Sequence, residues 1–344
     1  MKFEKITLNQ ERNVTLTAFV QPVGGEFPSI TKRPAILILP GGGYQMCSDR
    51  EAEPVAYPYL AAGFHAFVLR YSVKEDAKWP NPLSDYEQAM ELLIDRAEEW
   101  HIDTDRIAVV GFSAGGHLAA CAATISKHRP AAAILGYPAI KRDIVDMCRT
   151  DLPYPAECVD DLTCPCFLFA ARDDNTVHIS STLLFAEALA ERGINFETHI
   201  YSFGGHGFST GIDSFMLGGA SKRISDWVSD SIQWLGEAWG AFCKEGYTKP
   251  AFGRAVNGDR EKFLSANCTV NHLRGLSDRV GETVAGYLDA IYNKVLGGYK
   301  EYTRNMLCSL FRLKDVLSMM GLGAEQIQAI DESLRKIENK IVEK

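Results

Sequence analysis

The 344-residue chain has no apolar run approaching the roughly 18 residues that cross a membrane as a helix. Its first residues, Met1-Lys-Phe-Glu-Lys-Ile6, lack the apolar stretch of about 7–15 residues and the small-residue cleavage site of a secretory signal. A cytoplasmic protein without membrane attachment is therefore expected. Nine cysteines are present, an odd number, but they follow no repeating spacing. Cys164-Pro-Cys166 is the one close pair, and no second cluster completes a zinc site. Reduced thiols in a reducing compartment are expected, with neither a disulfide framework nor a metal centre. Positive charge is not in excess either. The net charge is −8, with 21 Lys+Arg against 31 Asp+Glu in residues 1–244 (−10) and 15 against 13 in residues 245–344 (+2). An acidic first part argues against a nucleic-acid surface there, and the near-neutral tail gives no reason to propose one. Hydrophobic content of 46% and charged content of 23% are ordinary for a globular chain long enough for one large core or two modest ones.

What is present is an alternation of strand and helix signals. Residues 14–20 alternate apolar and polar, predicting an early half-exposed strand. Residues 35–39, Ala-Ile-Leu-Ile-Leu, form a continuous apolar run short enough for a strand buried on both faces. Residues 65–71, 107–110, 131–135, 166–170 and 195–201 read as further strands, and 54–62, 183–192 and 224–239 as helices. Ser84, with Glu87 three residues on, predicts a capping box. The helix it opens carries Tyr86, Ala89, Met90, Leu93, Ala97 and Trp100 on one face. Residues 137–163, with Pro138, Pro153 and Pro155, read as irregular. The expected class is α/β, a mostly parallel central sheet covered by helices on both sides. In such sheets sites form beyond the carboxyl ends of the strands.

The unusual residues fall at those ends. Pro40-Gly41-Gly42-Gly43-Tyr44 follows the second predicted strand. Gly111-Phe-Ser113-Ala-Gly115 follows residues 107–110 and opens a small-residue helix. This G-x-S-x-G pattern is that of a nucleophile elbow, in which a strained turn lifts the serine clear of the sheet. Alone it is a weak signal. Asp173-Asp174-Asn-Thr-Val177 follows the strand at 166–170, and Gly204-Gly205-His206-Gly207 follows the last strand. The order serine, aspartate, histidine is the order of an α/β-hydrolase triad. A serine hydroxyl needs a base to attack a carbonyl, and His206 is the candidate. A carboxylate must fix the imidazole tautomer, and either Asp174 or Asp173 can do so, the other then capping its loop. The N–H of Ala114 with that of Gly42 or Gly43 would form an oxyanion hole. The glycine run lacks the G-K-[ST] ending of a phosphate loop. His117, on the elbow helix, reads as structural. Arg50 and Glu51 either orient the glycine loop as an ion pair or touch substrate, and Tyr44 is a candidate for lining the substrate pocket. This chemistry requires no metal and no organic cofactor.

Taken together, Leu39-Pro-Gly-Gly-Gly-Tyr44, Ser48-Asp-Arg-Glu51, Gly111-Phe-Ser-Ala-Gly-Gly-His-Leu-Ala119, Asp174-Asn-Thr-Val177 and Gly205-His-Gly207 resemble the motifs of bacterial α/β-hydrolases of the esterase/lipase, acetyl-xylan-esterase-like group. The resemblance covers about residues 1–242. It implies an α/β-hydrolase fold and a serine carboxylesterase acting on short acyl groups such as acetate, with Asp174 as the triad acid. The chain has Pro40 where many relatives carry histidine, which leaves backbone donors in place, and Val177-His178 where many read V-P. Substrate loops vary in the group, so the acyl acceptor, a carbohydrate or another small molecule, does not carry over. An amidase, formamidase or peptidase using the same triad is the alternative within hydrolases. A partner-binding scaffold working through the C-terminus is the alternative of another class.

The resemblance ends near Trp239. A catalytic domain over 1–243, a linker over 244–262 and a helical bundle over 263–344 are expected. Leu276, Val280, Val284, Leu288, Ile291 and Val295 form one apolar stripe, and Met306, Leu310, Leu313 and Leu317 a second. Ile327, Ile330, Leu334, Ile337 and Ile341 repeat at 3 and 4 like a short coiled-coil seam. The bundle is a candidate homodimer contact, with nothing catalytic in it.

Overall fold

Eight strands build one sheet in the order β1-β2-β4-β3-β5-β6-β7-β8. They are β1 Lys2–Asn9, β2 Val14–Val20, β3 Arg33–Leu39, β4 His65–Arg70, β5 Ile102–Phe112, β6 Ala132–Gly136, β7 Cys166–Ala171 and β8 Phe196–Tyr201. The β1/β2 and β2/β4 pairs are antiparallel, and every pair from β4 through β3 to β8 is parallel. The computed structural model describes all residues except 27, 213–219, 244–245, 252–257, 260, 262 and 340–344, and the chain divides into two compact units, residues 1–252 and 253–344.

The apolar runs end up where their composition requires. On one face of the sheet Leu37, Leu69, Val109, Leu135 and Leu168 pack with the helices Asn81–Asp95, Ala114–Thr124 and Ser180–Glu191. On the other, Ile36, Ile38, Val110, Ile134 and Phe169 pack with the helices Glu53–Ala61 and Asp226–Trp239. Phe169 stacks on Trp227 with ring centroids 4.1 Å apart. Burying β3 to β7 on both faces explains why they read as continuous apolar runs.

Three local expectations change. The β2 strand is buried along its whole length, not half-exposed, because β1 covers its outer edge and both faces carry packing. Thr15 and Thr17 sit inside, so alternation of β-branched polar residues misreported exposure. Ser84 caps nothing. The helix starts a turn earlier, at Asn81, with Pro82 in its first turn, where a fixed φ is favourable. Glu87 instead accepts from Ser126 Oγ (2.8 Å) and the Lys127 N–H (3.0 Å). Within 137–163 a short helix, Arg142–Cys148, and a 3₁₀ turn, Pro155–Cys158, are present.

The second unit has its own core of Leu264, Cys268, Val270, Leu273, Val280, Val284, Leu288, Ile291, Cys308, Leu313, Val316, Leu317, Ile330 and Leu334. The first apolar stripe lies on the helix Glu282–Ala290 and its continuation Ile291–Val295, with Val295 exposed. The second stripe breaks at Phe311, where Glu301–Leu310 ends and Leu313–Met319 begins, so Leu310 faces out while Leu313 and Leu317 face in. Of the coiled-coil-like seam, Ile330 and Leu334 enter this unit's own core from the helix Ala324–Leu334, Ile337 packs beyond its end, and Ile341 lies outside the described residues. Among the described residues no helix is long and apolar enough to cross a membrane.

Candidate active site

The turn between β5 and the helix Ala114–Thr124 is tight because two glycines let backbones touch. A Cβ on Gly111 would collide with the Gly115 carbonyl, and one on Gly115 with the carbonyls of Leu39 and Pro40. Ser113 sits at the apex with φ 53° and ψ −115°, a strained conformation for a residue with a side chain. Its N–H donates to Gly136 O (2.9 Å), and its carbonyl accepts from Ala139 N–H (3.1 Å), so β6 braces the turn.

Ser113, Asp174 and His206, distant in sequence, meet at the strand ends. Ser113 Oγ is 2.9 Å from His206 Nε2, and His206 Nδ1 is 2.7 Å from Asp174 Oδ2. Asp174 is 2% exposed, and its Oδ1 accepts from the N–H groups of Thr176 (2.9 Å) and Val177 (2.8 Å). A carboxylate so held is an acceptor, so Nδ1–H donates to it and Nε2 is left to accept the serine proton. Asp173 does something else: its Oδ1 accepts from Gly204 (2.8 Å) and Gly205 (3.1 Å) N–H, tying down the loop that carries His206.

Beside Ser113 lies the glycine run. Gly41 N–H donates to Glu51 Oε2 (2.9 Å), whereas the N–H groups of Gly42, Gly43 and Ala114 have no acceptor among the described residues. Gly42 at φ 132° and Gly43 at φ 60° hold the loop in a conformation that side chains resist. The Gly42 carbonyl accepts from Gln45 N–H (2.9 Å), which folds the run back on itself.

Tyr44 does not line an accessible pocket. It has no exposed surface, and its O–H donates to His117 Nδ1 (2.8 Å) while His117 Nε2–H donates to Pro153 O (2.9 Å). Tyr44 is therefore a buried strut between the glycine loop and the elbow helix. Burial lowers the His117 pKa to about 4, and burial pushes the Tyr44 phenol well up.

Arg50 and Glu51 do not pair with each other as an ion pair. Arg50 donates to Gly207 O (3.1 Å), next to His206. Glu51, 3% exposed, accepts on its second oxygen from Tyr137 O–H (2.6 Å). Tyr137 in turn accepts from Ser209 N–H (3.0 Å), and its ring meets that of His206 edge-on at 4.9 Å. Burial raises the Glu51 pKa, against the lowering effect of Tyr137, Gly41, His206 and Arg50. Sequence reasoning passed over Tyr137 and Ser209. Tyr137 follows β6 directly, so the strand-end rule that found the other residues could have found it too.

A parallel sheet with a serine at a strained strand-to-helix turn, and a histidine and an acid on later strand ends, is the architecture of an α/β-hydrolase. Comparison with known proteins agrees. The BD-FAE family model matches residues 28–135, and that of the prolyl oligopeptidase family matches residues 153–240. MGS-M1, an α/β-hydrolase from a deep-sea metagenome library, is 46% identical with a TM-score of 0.63, covering 69% of this chain and 97% of that one. The acetyl ester-xyloside bifunctional hydrolase of Caldicellulosiruptor lactoaceticus is 28% identical (TM-score 0.56), covering 67% of this chain and 94% of its own. The acetylxylan esterase of Xylanibacter ruminicola is 28% identical over 205 residues, 52% of this chain and 41% of that protein. Endo-1,4-beta-xylanase B of Butyrivibrio fibrisolvens is 33% identical over 225 residues, 56% of this chain and 35% of that protein. The matched region is thus well under half of these two relatives' lengths. The chain belongs to the α/β-hydrolases.

Proposed function

We propose that the protein is a serine carboxylesterase that removes short acyl groups, acetyl foremost, from a carbohydrate or other small-molecule ester. The observation that carries this is the continuous hydrogen-bonded line Ser113 Oγ, His206, Asp174 at 2.9 and 2.7 Å. His206 Nε2 takes the proton of Ser113 as Oγ attacks the ester carbonyl. Asp174 holds the tautomer and stabilises the imidazolium. The oxyanion is received by the N–H of Ala114 and of Gly42 or Gly43, one such donor being worth about 3–4 kcal/mol in the transition state. His206 then protonates the leaving alcohol, and water, activated by the same imidazole, releases the acid from Ser113. The residues do this without a cofactor.

The acetyl preference draws on the acetyl ester-xyloside hydrolase and the acetylxylan esterase among the relatives. The test is hydrolysis of p-nitrophenyl acetate and of acetylated xylo-oligosaccharides by wild type and Ser113→Ala. Release of acetate by wild type alone is expected; equal rates for the two proteins sink the proposal. A second reading, amide or peptide hydrolysis, draws on the prolyl oligopeptidase match over 153–240, which holds the acid and the histidine. Matched p-nitroanilide and p-nitrophenyl substrates separate the two. The functional unit is proposed to be residues 1–243, with the C-terminal helices as an assembly element outside the chemistry.

A further inference from the structure

A buried carboxylate that the triad does not use lies between the two loops the reaction depends on. Glu51 Oε2 accepts from Gly41 N–H (2.9 Å) at the root of the glycine run. There is no slack: a Cβ on Gly41 would lie 2.6 Å from that oxygen and 3.1 Å from Ser113 Cβ. Glu51 Oε1 accepts from Tyr137 O–H (2.6 Å), and Tyr137 accepts from Ser209 N–H (3.0 Å), three residues past His206. Ser209 is fastened further, its Oγ donating to Arg50 O and its carbonyl accepting from Trp227 Nε1–H (2.9 Å). Tyr137 and Ser209 hold positive φ angles of 35° and 51°, so the connection is kept against backbone strain. Since Tyr137 accepts from Ser209, its proton points at Glu51, and both oxygens of Glu51 are acceptors, as a carboxylate's are.

Resting on the esterase reading above, we propose that Glu51 is a positioning residue that couples the oxyanion loop to the histidine. Its carboxylate fixes Gly41, fixes the His206 loop through Tyr137 and Ser209, and sets a second buried negative charge, beside Asp174, against the imidazolium formed during the reaction. The groups facing Glu51 are the Gly41 N–H, the Tyr137 and Tyr71 phenols, the His206 imidazole and the Arg50 guanidinium. Those facing His206 are Ser113, Asp174, the Tyr137 ring and Glu51.

Burial raises the pKa of Glu51, so its ionisation works against folding. The sign follows: stability contributed by this group is complete below the unfolded carboxyl pKa and is lost as pH rises through the folded one. A charge kept at the expense of stability next to a reacting histidine is the pattern of a functional group.

Glu51→Gln keeps the shape and removes the charge. With p-nitrophenyl acetate, kcat should fall about 10- to 100-fold with KM within about twofold. The acidic limb of the kcat/KM profile should move to lower pH, because the imidazolium loses a neighbouring charge. The thermal midpoint at pH 7 to 8 should hold or rise. A merely structural role gives the opposite set, a lower midpoint and an unmoved limb, and overturns the proposal, as does unchanged kcat. Should Glu51→Gln fail to fold, Tyr137→Phe serves: kcat lowered with KM held supports the coupling, and unchanged kcat overturns it. If wild type cleaves no short ester, the esterase reading falls alone. The His206 imidazole followed by NMR then decides: titration at lower pH in Glu51→Gln supports the inference, and coincident titration overturns it.

Discussion

The two units are built to different standards. Among the described residues of 253–344 the core is aliphatic with two cysteines, the buried polar side chains are Ser265, Thr269 and Asn339, and positive φ occurs at Gly281 and Gly321 alone. Among the described residues of 1–252 the interior holds Glu51, His65, Asp85, His117 and Asp174, and seven residues with side chains, Tyr44, Ser113, Tyr137 and Ser209 among them, adopt positive φ. Buried ionisable groups and strained backbone each lower stability by about 1–3 kcal/mol or more unless the surroundings compensate. Tyr44, Ser113, Tyr137 and Ser209 at positive φ gather with buried Glu51, His117 and Asp174 around the candidate site, the pattern expected where stability is exchanged for function, whereas the described part of residues 253–344 has no buried His, Asp or Glu and no residue but glycine at positive φ.

That contrast can be broken by measurement. The largest effect is expected from Ser113→Ala, which should lower kcat/KM toward p-nitrophenyl acetate by at least about 10⁴-fold while leaving the thermal midpoint within about 2 °C of wild type or raising it. Asp174→Asn should cost about 10⁴-fold in kcat, because an amide supports the wrong imidazole tautomer. Activity within tenfold of wild type in either variant would detach the strained serine from the chemistry.

The next effect is on stability against pH. His65 and His117 are buried, and burial lowers each pKa from 6.5 to about 4. The unfolded chain takes up protons near pH 6.5 and the folded one near 4. The stability each contributes is therefore present above pH 6.5 and lost as pH falls toward 4, of order 3 kcal/mol per group. All five tryptophans lie in residues 1–252, so their fluorescence reports that unit alone. Urea midpoints read this way should drop from pH 7 to pH 4.5, and the drop should shrink in His117→Gln; the same slope in both proteins would refute the assignment. The smallest effect on activity is expected in the other unit. Leu317→Ala should destabilise the helical unit by about 2–5 kcal/mol, read as an earlier loss of helical circular dichroism, with kcat/KM within about twofold. Activity lost in step with the helices would give that unit a part in the chemistry.

How much of this was legible in the sequence follows from the range of the interactions. The parallel strands were readable because burial on both faces leaves an uninterrupted apolar run, as at residues 35–39. Ser113, Asp174 and His206 were readable because each sits in a local motif at a strand end. The β1 strand went unread because its edge position mixes Lys2, Glu4 and Lys5 with apolar residues and hides the alternation. The helix start at Asn81 was missed because a proline in the first turn outweighed the capping-box pattern at Ser84. Tyr44 was placed in the pocket by its neighbours in sequence, whereas its hydroxyl is claimed by His117, 73 positions away. Glu51 and Tyr137 meet across 86 positions, and no local pattern records such a pairing.

The backbone contacts among Leu39, Pro40, Gly111 and Gly115 bear on how this protein can change. Any side chain added at Gly111 or Gly115 would push the elbow helix off the sheet and carry Ser113 away from His206. Adaptation to a new ester must then come from elsewhere on the rim. The segment 138–163, where Met147 and Leu162 face solvent, is bound to the elbow helix through the Pro153 carbonyl and His117. A directed-evolution library that randomises exposed positions there while leaving 39–41 and 111–116 untouched would explore substrate range with the arrangement of Ser113, His206 and Asp174 held constant.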